Sequence, residues 1–232
     1  MTSRRQTRAV TRSRSHLKLR DDWTFRAADV ASDFDRHVRE QLPWYELATR
    51  MVAHIARHYL PPGGLILDVG AATGNIGRAL ADTIAARSAR LIGIEASREM
   101  AARYDAPGEV IVADAVEVDY ARYRPDVIIA FLTLMFVPVK DRRALLATMR
   151  QSLNSGGALI IFDKMAAGSG YLSTMLYRLT LIAKQEAGAS AGEIMQKDLS
   201  LAGIQRPMTD SELQGFAPVF RFGDFAGFVF EA

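Results

Sequence analysis

Apolar positions recur along the chain in two rhythms. Through residues 43–59, Trp44, Leu47, Ala48, Met51, Val52, Ile55 and Tyr59 return at helical spacing, with Glu46, Arg50, His54, Arg57 and His58 opposite them. Pro61-Pro62-Gly63-Gly64 stops that helix, and a shorter helix is predicted before it at 30–40. From Leu65 onward short apolar runs alternate with helical stretches. Strands are predicted at 65–70, at 91–94 closing on Glu95, at 109–113, at 127–134 and at 158–162, with helices at 76–86, 97–104 and 141–153 between them. Nearly uninterrupted apolar strands separated by helices predict βαβ units, a parallel sheet covered on both faces. The end of the chain changes character: 219–222, Gly223-Asp224 and 225–230 predict an antiparallel hairpin that finishes the sheet. A helix around 169–187, with Tyr171, Leu172, Met175, Leu176, Leu179 and Ile182 on its apolar side, is expected to serve as a lid or as the face of a homodimer.

Composition fits one α/β domain with some decoration. The chain has 232 residues, of which 49% are hydrophobic and 24% charged, enough material for a core. The longest uncharged apolar run, 127–139, contains Pro138 and is well short of the roughly 20 residues that span a bilayer, so no membrane partner is expected. Zero cysteines exclude a disulfide framework, a thiol nucleophile and a Cys-ligated metal, and the default location is cytoplasmic. His54 and His58 stand four apart, but no Glu follows the first and Arg57 lies between them; a solvated face is expected rather than a metal pair.

The net charge of +3 hides an asymmetry. Residues 1–20 carry seven Arg and Lys and no acid; 22 of the 29 basic residues then remain against 26 acidic ones, leaving the body at −4. With so little apolar material the segment is expected to be a mobile basic arm. Non-specific nucleic-acid contact, an organellar transit peptide and a plain solvated tail all fit it.

Candidate chemistry begins at Asp68-Val69-Gly70-Ala71-Ala72-Thr73-Gly74-Asn75, a strand running through a Gly-rich turn into a helix. Ligands of open α/β sheets bind beyond the carboxyl ends of the strands, where Gly70 to Gly74, Glu95, Asp114 and the 131–133 segment should share one crevice. Glycines permit a tight turn and close backbone approach. An acid ending the second strand is placed to accept two hydrogen bonds from a ribose diol, and Asp114, ending the third, to accept from an adenine amine. A nucleoside site follows. No Gly-Lys-Ser/Thr follows the turn, which excludes a P-loop, and the Gly-x-Gly-x-x-Gly of dinucleotide folds is missing.

These residues resemble the Rossmann-like, class I S-adenosylmethionine-dependent methyltransferases, with the resemblance running from Pro61 to Ala232. The glycine loop, Glu95, Asp114-Ala115 and the Leu153-Asn154-Ser155-Gly156-Gly157 turn occur in the family's order. Within that class the chain is most similar to the carboxy-S-adenosylmethionine synthases, bacterial enzymes of tRNA wobble-uridine modification. The similarity rests on Leu132-Thr133-Leu134-Met135-Phe136-Val137, Arg143-Ala144-Leu145-Leu146, Asp163-Lys164, Leu42-Pro43-Trp44-Tyr45 and the segment Ala28 to Phe34. The resemblance implies S-adenosylmethionine as cofactor, held by Tyr45, Asp68, Gly70, Ala71, Ala72, Gly74, Glu95, Ala96, Asp114, Ala115 and Phe131. It also implies that 21–60 forms N-terminal helices capping the cofactor site of a 61–232 methyltransferase domain. Two positions depart. Phe131 stands where the synthases have Asn, and Asp198 where they have the Arg that pairs with the extra carboxylate of their product. Methyl transfer to an acceptor, a small molecule or a nucleic acid, is therefore the expected activity, with no catalytic residue assigned. Synthase-like action and a catalytically silent cofactor-binding module are the alternatives. Lys164, Asp163, Tyr171, Tyr177 and His37 are conceivable substrate contacts, but each reads more simply as a surface or core residue.

Overall fold

The computed structural model describes residues 28–232 apart from 167 and 169. The expectations placed on residues 1–20 and on the His37 side chain lie outside what is described. Helices α1 (Ala28–Gln41) and α2 (Tyr45–Tyr59) precede β1 (Leu65–Val69), α3 (Asn75–Ala79), α4 (Ala81–Arg87), β2 (Arg90–Glu95), α5 (Arg98–Ala101), β3 (Glu109–Val112) and β4 (Val127–Phe131). Then follow α6 (Val139–Ser152), β5 (Ala158–Lys164), α7 (Tyr171–Glu186), α8 (Ala191–Ser200), β6 (Ala217–Phe222) and β7 (Phe225–Glu231). The seven strands form one sheet in the order β3-β2-β1-β4-β5-β7-β6. β1 to β5 run parallel, and β7 inserts antiparallel between β5 and β6. This is the expected Rossmann-like arrangement, and β1, paired with β2 on one side and β4 on the other, marks where the strand order reverses.

Strand parity divides the core. Ile66, Val127, Ile129, Phe131, Ile160 and Phe162 face α2 to α4, while Leu65, Leu67, Val69, Ile128, Ala130, Leu159 and Ile161 face α6. Both faces of β1 and β4 are buried throughout, which is why these strands read as unbroken apolar runs. Asp68 shares the parity of Ile66 and so points toward α2. Rings then link α2 to the sheet: Tyr45 packs edge-on to Phe131 at 5.3 Å between centroids, Phe131 meets Phe162 at 5.9 Å, Phe162 meets Phe220 at 5.4 Å, and Trp44 closes on Phe225 at 4.7 Å. Room for this stack comes from Gly227, opposite Phe162 in β7, where a Cβ would come 2.4 Å from the ring.

Several predicted boundaries are corrected. The buried seam of α2 is Tyr45, Ala48, Thr49, Val52 and Ala56, so Leu47, expected inside, is 55% exposed. The helix expected at 76–86 is broken at the buried Leu80. The helix expected at 97–104 stops at Ala101, because the chain turns to lay Tyr104 and Ala106 over Gly74 and Gly77; a Cβ at either glycine would come 2.7 Å from Ala106. β4, expected to reach 134, ends at Phe131 because Leu132 takes a left-handed conformation with φ of 58°. α8 was not expected at all, although Ser190 and Glu193 form the reciprocal capping box that opens it.

Arg142 on α6 is fully buried and was not singled out by sequence. Its Nε donates to Val137 O at 2.9 Å, and its terminal nitrogens donate to the carbonyls of Pro207 (3.2 Å), Met135 (3.4 Å) and Arg206. Glu212 Oε1 balances the charge at 3.5 Å. One side chain thus ties α6, the turn after β4 and the 206–212 segment together. Arg142→Ala strands these acceptors and an almost buried carboxylate, and is expected to lower the unfolding free energy by about 3–5 kcal/mol. Urea unfolding measures this; a loss within error of zero would contradict the role given to Arg142.

Candidate functional site

The carboxyl ends of β1 to β5 open into a cavity of about 320 Å³, within the range of small-molecule sites. Tyr45, Asp68, Gly70, Ala71, Ala72, Glu95, Ala96, Asp114, Ala115 and Phe131 all line it, although they are spread over seventy residues of sequence or more. Gly74 does not. It lies at φ of 94° behind the turn, where a Cβ would come 2.7 Å from Ala106; its role is to pack the turn onto the 104–106 segment.

The turn after β1 is held by its neighbours. Gly70 N and Ala71 N both donate to Ile94 O, at 2.8 and 3.1 Å, and Ala72 N donates to Glu95 Oε2 at 2.8 Å. The last of these holds Ala72 at φ of 47°, a left-handed conformation that a residue with a Cβ rarely adopts. Leu132 is the second left-handed non-glycine residue in the wall. Strained backbone at two points in the wall of one cavity is characteristic of ligand sites.

Glu95 is 9% exposed, and its other oxygen accepts from Ser97 N at 2.7 Å. With Ala96 as a third backbone donor, three of the carboxylate's roughly four acceptor sites are used and one is left for a ligand. Burial raises its pKa, while the backbone donors at Ser97, Ala72 and Ala96 pull it back. Asp68 is buried more deeply, and burial, reinforced by repulsion from Glu95, pushes its carboxyl up to about 7. Its Oδ2 is buried without a hydrogen-bond partner among the described residues, a costly arrangement that a donor in the cavity would relieve. Asp114, two residues beyond β3, caps the short turn that follows by accepting at Oδ1 from Val116 N at 3.1 Å. Tyr45 is 4% exposed, and burial raises the pKa of its phenol.

The other end of the cavity was largely missed by sequence. Lys164 and Tyr177, two of the candidate contacts, do line it, joined by Thr180, Lys184, Lys197, Asp198, Gln205 and Asp224. Asp163 instead lies under the floor: Oδ2 accepts from Leu134 N at 2.7 Å and Met135 N at 3.3 Å, and Oδ1 from Lys164 N at 2.8 Å. Burial still raises its pKa to about 7 against these donors. Tyr171 is 76% exposed and away from the cavity. The one local signal for the missed residues was the polar side of α7, Tyr177, Thr180 and Lys184, spaced three and four apart. His54 and His58 pack their rings together at 4.8 Å on the exposed side of α2. No described helix is long and apolar enough to cross a membrane.

Comparison with known proteins agrees with this geometry. Residues 66–157 match the family description of a methyltransferase domain. The chain is 30% identical over 217 residues to the carboxy-S-adenosyl-L-methionine synthase of Wolinella succinogenes, covering 86% of this chain and 90% of that one. The synthase of Staphylococcus epidermidis is 27% identical over 219 residues, covering 89% and 96%. Among solved structures, the plantazolicin methyltransferase BpumL in complex with SAH superimposes with a TM-score of 0.55 at 16% identity, over 82% of this chain and 72% of that one. The DhpI–SAH complex gives 0.54 at 15% identity, over 87% and 91%. At such identities the structures speak for the fold, while the synthases speak for descent. The chain belongs to the carboxy-S-adenosyl-L-methionine synthase family, within the class I S-adenosylmethionine-dependent methyltransferases.

Proposed function

We propose that the protein transfers a methyl group from S-adenosylmethionine to an acceptor that enters beside α7 and α8. The observation that carries this reading is Asp68 Oδ2, a buried acceptor atom lacking a partner among the described residues, on the wall that also holds Glu95. A ligand bearing an ammonium group and a ribose diol fits that pair: the ammonium satisfies Asp68, and the diol donates to the acceptor site that the backbone donors leave on Glu95. Asp114 then faces the base, and Tyr45 and Phe131 supply an apolar wall. When bound, the cofactor supplies a methyl group already activated on a sulfonium. The protein's task is to align the acceptor and keep water out, and a general base is optional.

The departures from the synthases support methyl transfer over the synthase reaction. Asp198 stands at the position of the synthases' carboxylate-binding Arg, and the Tyr177 hydroxyl hydrogen-bonds to it. A carboxylate there cannot pair with the extra carboxylate of a carboxylated cofactor as a guanidinium does. Phe131, in place of Asn, seats Tyr45. The acceptor class, the nucleic-acid contact of residues 1–20 and a homodimer through the outward apolar face of α7 are parts of this proposal. Leu172, Met175, Leu179 and Ile182 form that face, each between 41% and 63% exposed.

Two titrations test the cofactor site. Glu95→Ala is expected to weaken S-adenosylmethionine binding by about 1.5–3 kcal/mol, roughly ten- to a hundred-fold, with a native circular-dichroism spectrum. Wild-type affinity in calorimetry would remove Glu95 from the site. The second uses pH. Ligand-free Asp68 holds its proton up to about 7, and a ligand ammonium requires the carboxylate, so binding expels a proton below that pH. The affinity for S-adenosylhomocysteine should rise from pH 5.5 to about 7 and level off above it. Asp68→Asn should bind more weakly and lose this slope; an unchanged slope would assign the titration elsewhere.

A further inference from the structure

The cavity continues past the nucleoside end. Beyond Leu132 it reaches the carboxyl end of β5 and the inner sides of α7 and α8, where Lys164, Lys184 and Lys197 all line it. β5 lies two strand positions from β1, on the side away from β2 and β3. At about 4.8 Å per strand the backbone of Lys164 at the end of β5 is offset by roughly 10 Å from β1, which carries Asp68. This end of the cavity is therefore set apart from Glu95 and Asp114.

Lysines ordinarily extend into water, and three turned into one cavity need a reason. Lys164 Nζ donates to Gln205 Oε1 at 2.9 Å and lies 3.7 Å from Asp224 Oδ2. Asp224 accepts a hydrogen bond from Thr180 Oγ1, which docks α7 on the turn between β6 and β7. Lys184, one turn beyond Thr180, is desolvated and repelled by Lys164, and is attracted by Asp224 and Asp198. Lys197, across on α8, is desolvated and repelled by Lys184; together these effects pull its pKa down to about 7. Among the described residues the charged and titratable groups lining this end are the three lysines, Asp198, Asp224 and Tyr177, the last hydrogen-bonded to Asp198. Among the described residues Lys164 and Lys184 match the two carboxylates in charge, and Lys197 adds a positive charge when it is protonated, a form that an anion in the cavity would favour.

We propose that this end of the cavity anchors an acceptor carrying a carboxylate or phosphate group, gripped by Lys164, Lys184 and Lys197 while its nucleophile faces the transferred methyl. The assignment of the anion to the acceptor rests on the methyltransferase reading above; the anion site itself rests on the lysines. It has a proton signature. An anion stabilises the charged form of Lys197, so binding near neutral pH takes up a proton, and affinity falls as pH rises through about 7.

The test is calorimetry on the full chain saturated with S-adenosylhomocysteine, titrated with inorganic phosphate and, separately, with succinate. At least one probe should bind at pH 7.5 with a heat that varies with the ionisation enthalpy of the buffer, the mark of proton uptake. Phosphate alone would point to a phosphorylated acceptor and succinate alone to a carboxylated one. Succinate affinity should fall by up to about tenfold per pH unit above 7. Lys184→Gln combined with Lys197→Gln should weaken either probe at least about tenfold, with the affinity for S-adenosylhomocysteine and the thermal midpoint retained. Lys197→Arg should keep anion binding and lose the proton uptake, because a guanidinium stays charged. Failure of both probes to bind, or equal binding to wild type and the double Gln variant, would overturn the site. Tighter binding of carboxy-S-adenosyl-L-methionine than of S-adenosylmethionine, abolished by the double Gln variant, would give the lysines to the cofactor and overturn the acceptor assignment. If S-adenosylhomocysteine itself does not bind, the methyltransferase reading falls, and the same anion titration on the unliganded chain still decides the lysine site.

Discussion

The contact between Gly70 and Thr133 fixes the geometry on which the cavity depends. Thr133 Oγ1 donates to Val69 O at 2.9 Å, clamping the end of β1 to the turn that follows β4, and it occupies the space a side chain at Gly70 would need. A Cβ there would come 2.2 Å from that oxygen. Two adjacent parallel strands are thereby closed at one level, and the chain must leave each of them in an unusual way. After β1 it passes through a left-handed Ala72 held by Glu95; after β4 it passes through a left-handed Leu132 whose N–H donates to Phe162 O at 2.7 Å. The strain is retained because it turns backbone away from the crevice and leaves space for a ligand.

Much of this was legible in the sequence because buried parallel strands write their own signature. Runs such as Leu65-Ile66-Leu67 and Ile128-Ile129-Ala130 admit few other readings once helices alternate with them, and the strand-end acids Glu95 and Asp114 follow from where each run stops. What pattern could not separate was the reason for a glycine. Gly70 and Gly74 look alike in a motif, yet Gly70 makes way for Thr133 at the crevice and Gly74 makes way for Ala106 and Tyr104 behind it. That distinction depends on residues thirty or more positions away, which no local window contains.

The end of the cavity at α7 and α8 was poorly legible for a related reason. A 3.6-residue period locates an apolar stripe but does not say whether the core lies under it. On α7 the stripe of Leu172, Met175 and Ile182 faces outward, while Tyr177, Thr180 and Lys184 turn into the cavity. Arg142 escaped notice because a charged residue on an exposed-looking helix is ordinarily solvated; its partners are carbonyls from a segment sixty residues on. Lys184 and Lys197 become meaningful only when α8 folds back over α7. The family resemblance carries the proposal for the cofactor end; the lysines around Asp198 are a feature of the folded cavity.

The central claim is that Asp68 and Glu95 together receive the amino-acid and ribose parts of an adenosyl cofactor. A crystal structure of the protein with S-adenosylhomocysteine addresses it most directly. The account predicts the ligand amino group within hydrogen-bond distance of Asp68 Oδ2, the ribose hydroxyls on Glu95 with its bonds to Ala72 and Ser97 intact, and the base beside Asp114. A bound ligand that leaves Asp68 Oδ2 without a partner, or that sits with its ribose away from Glu95, would contradict it.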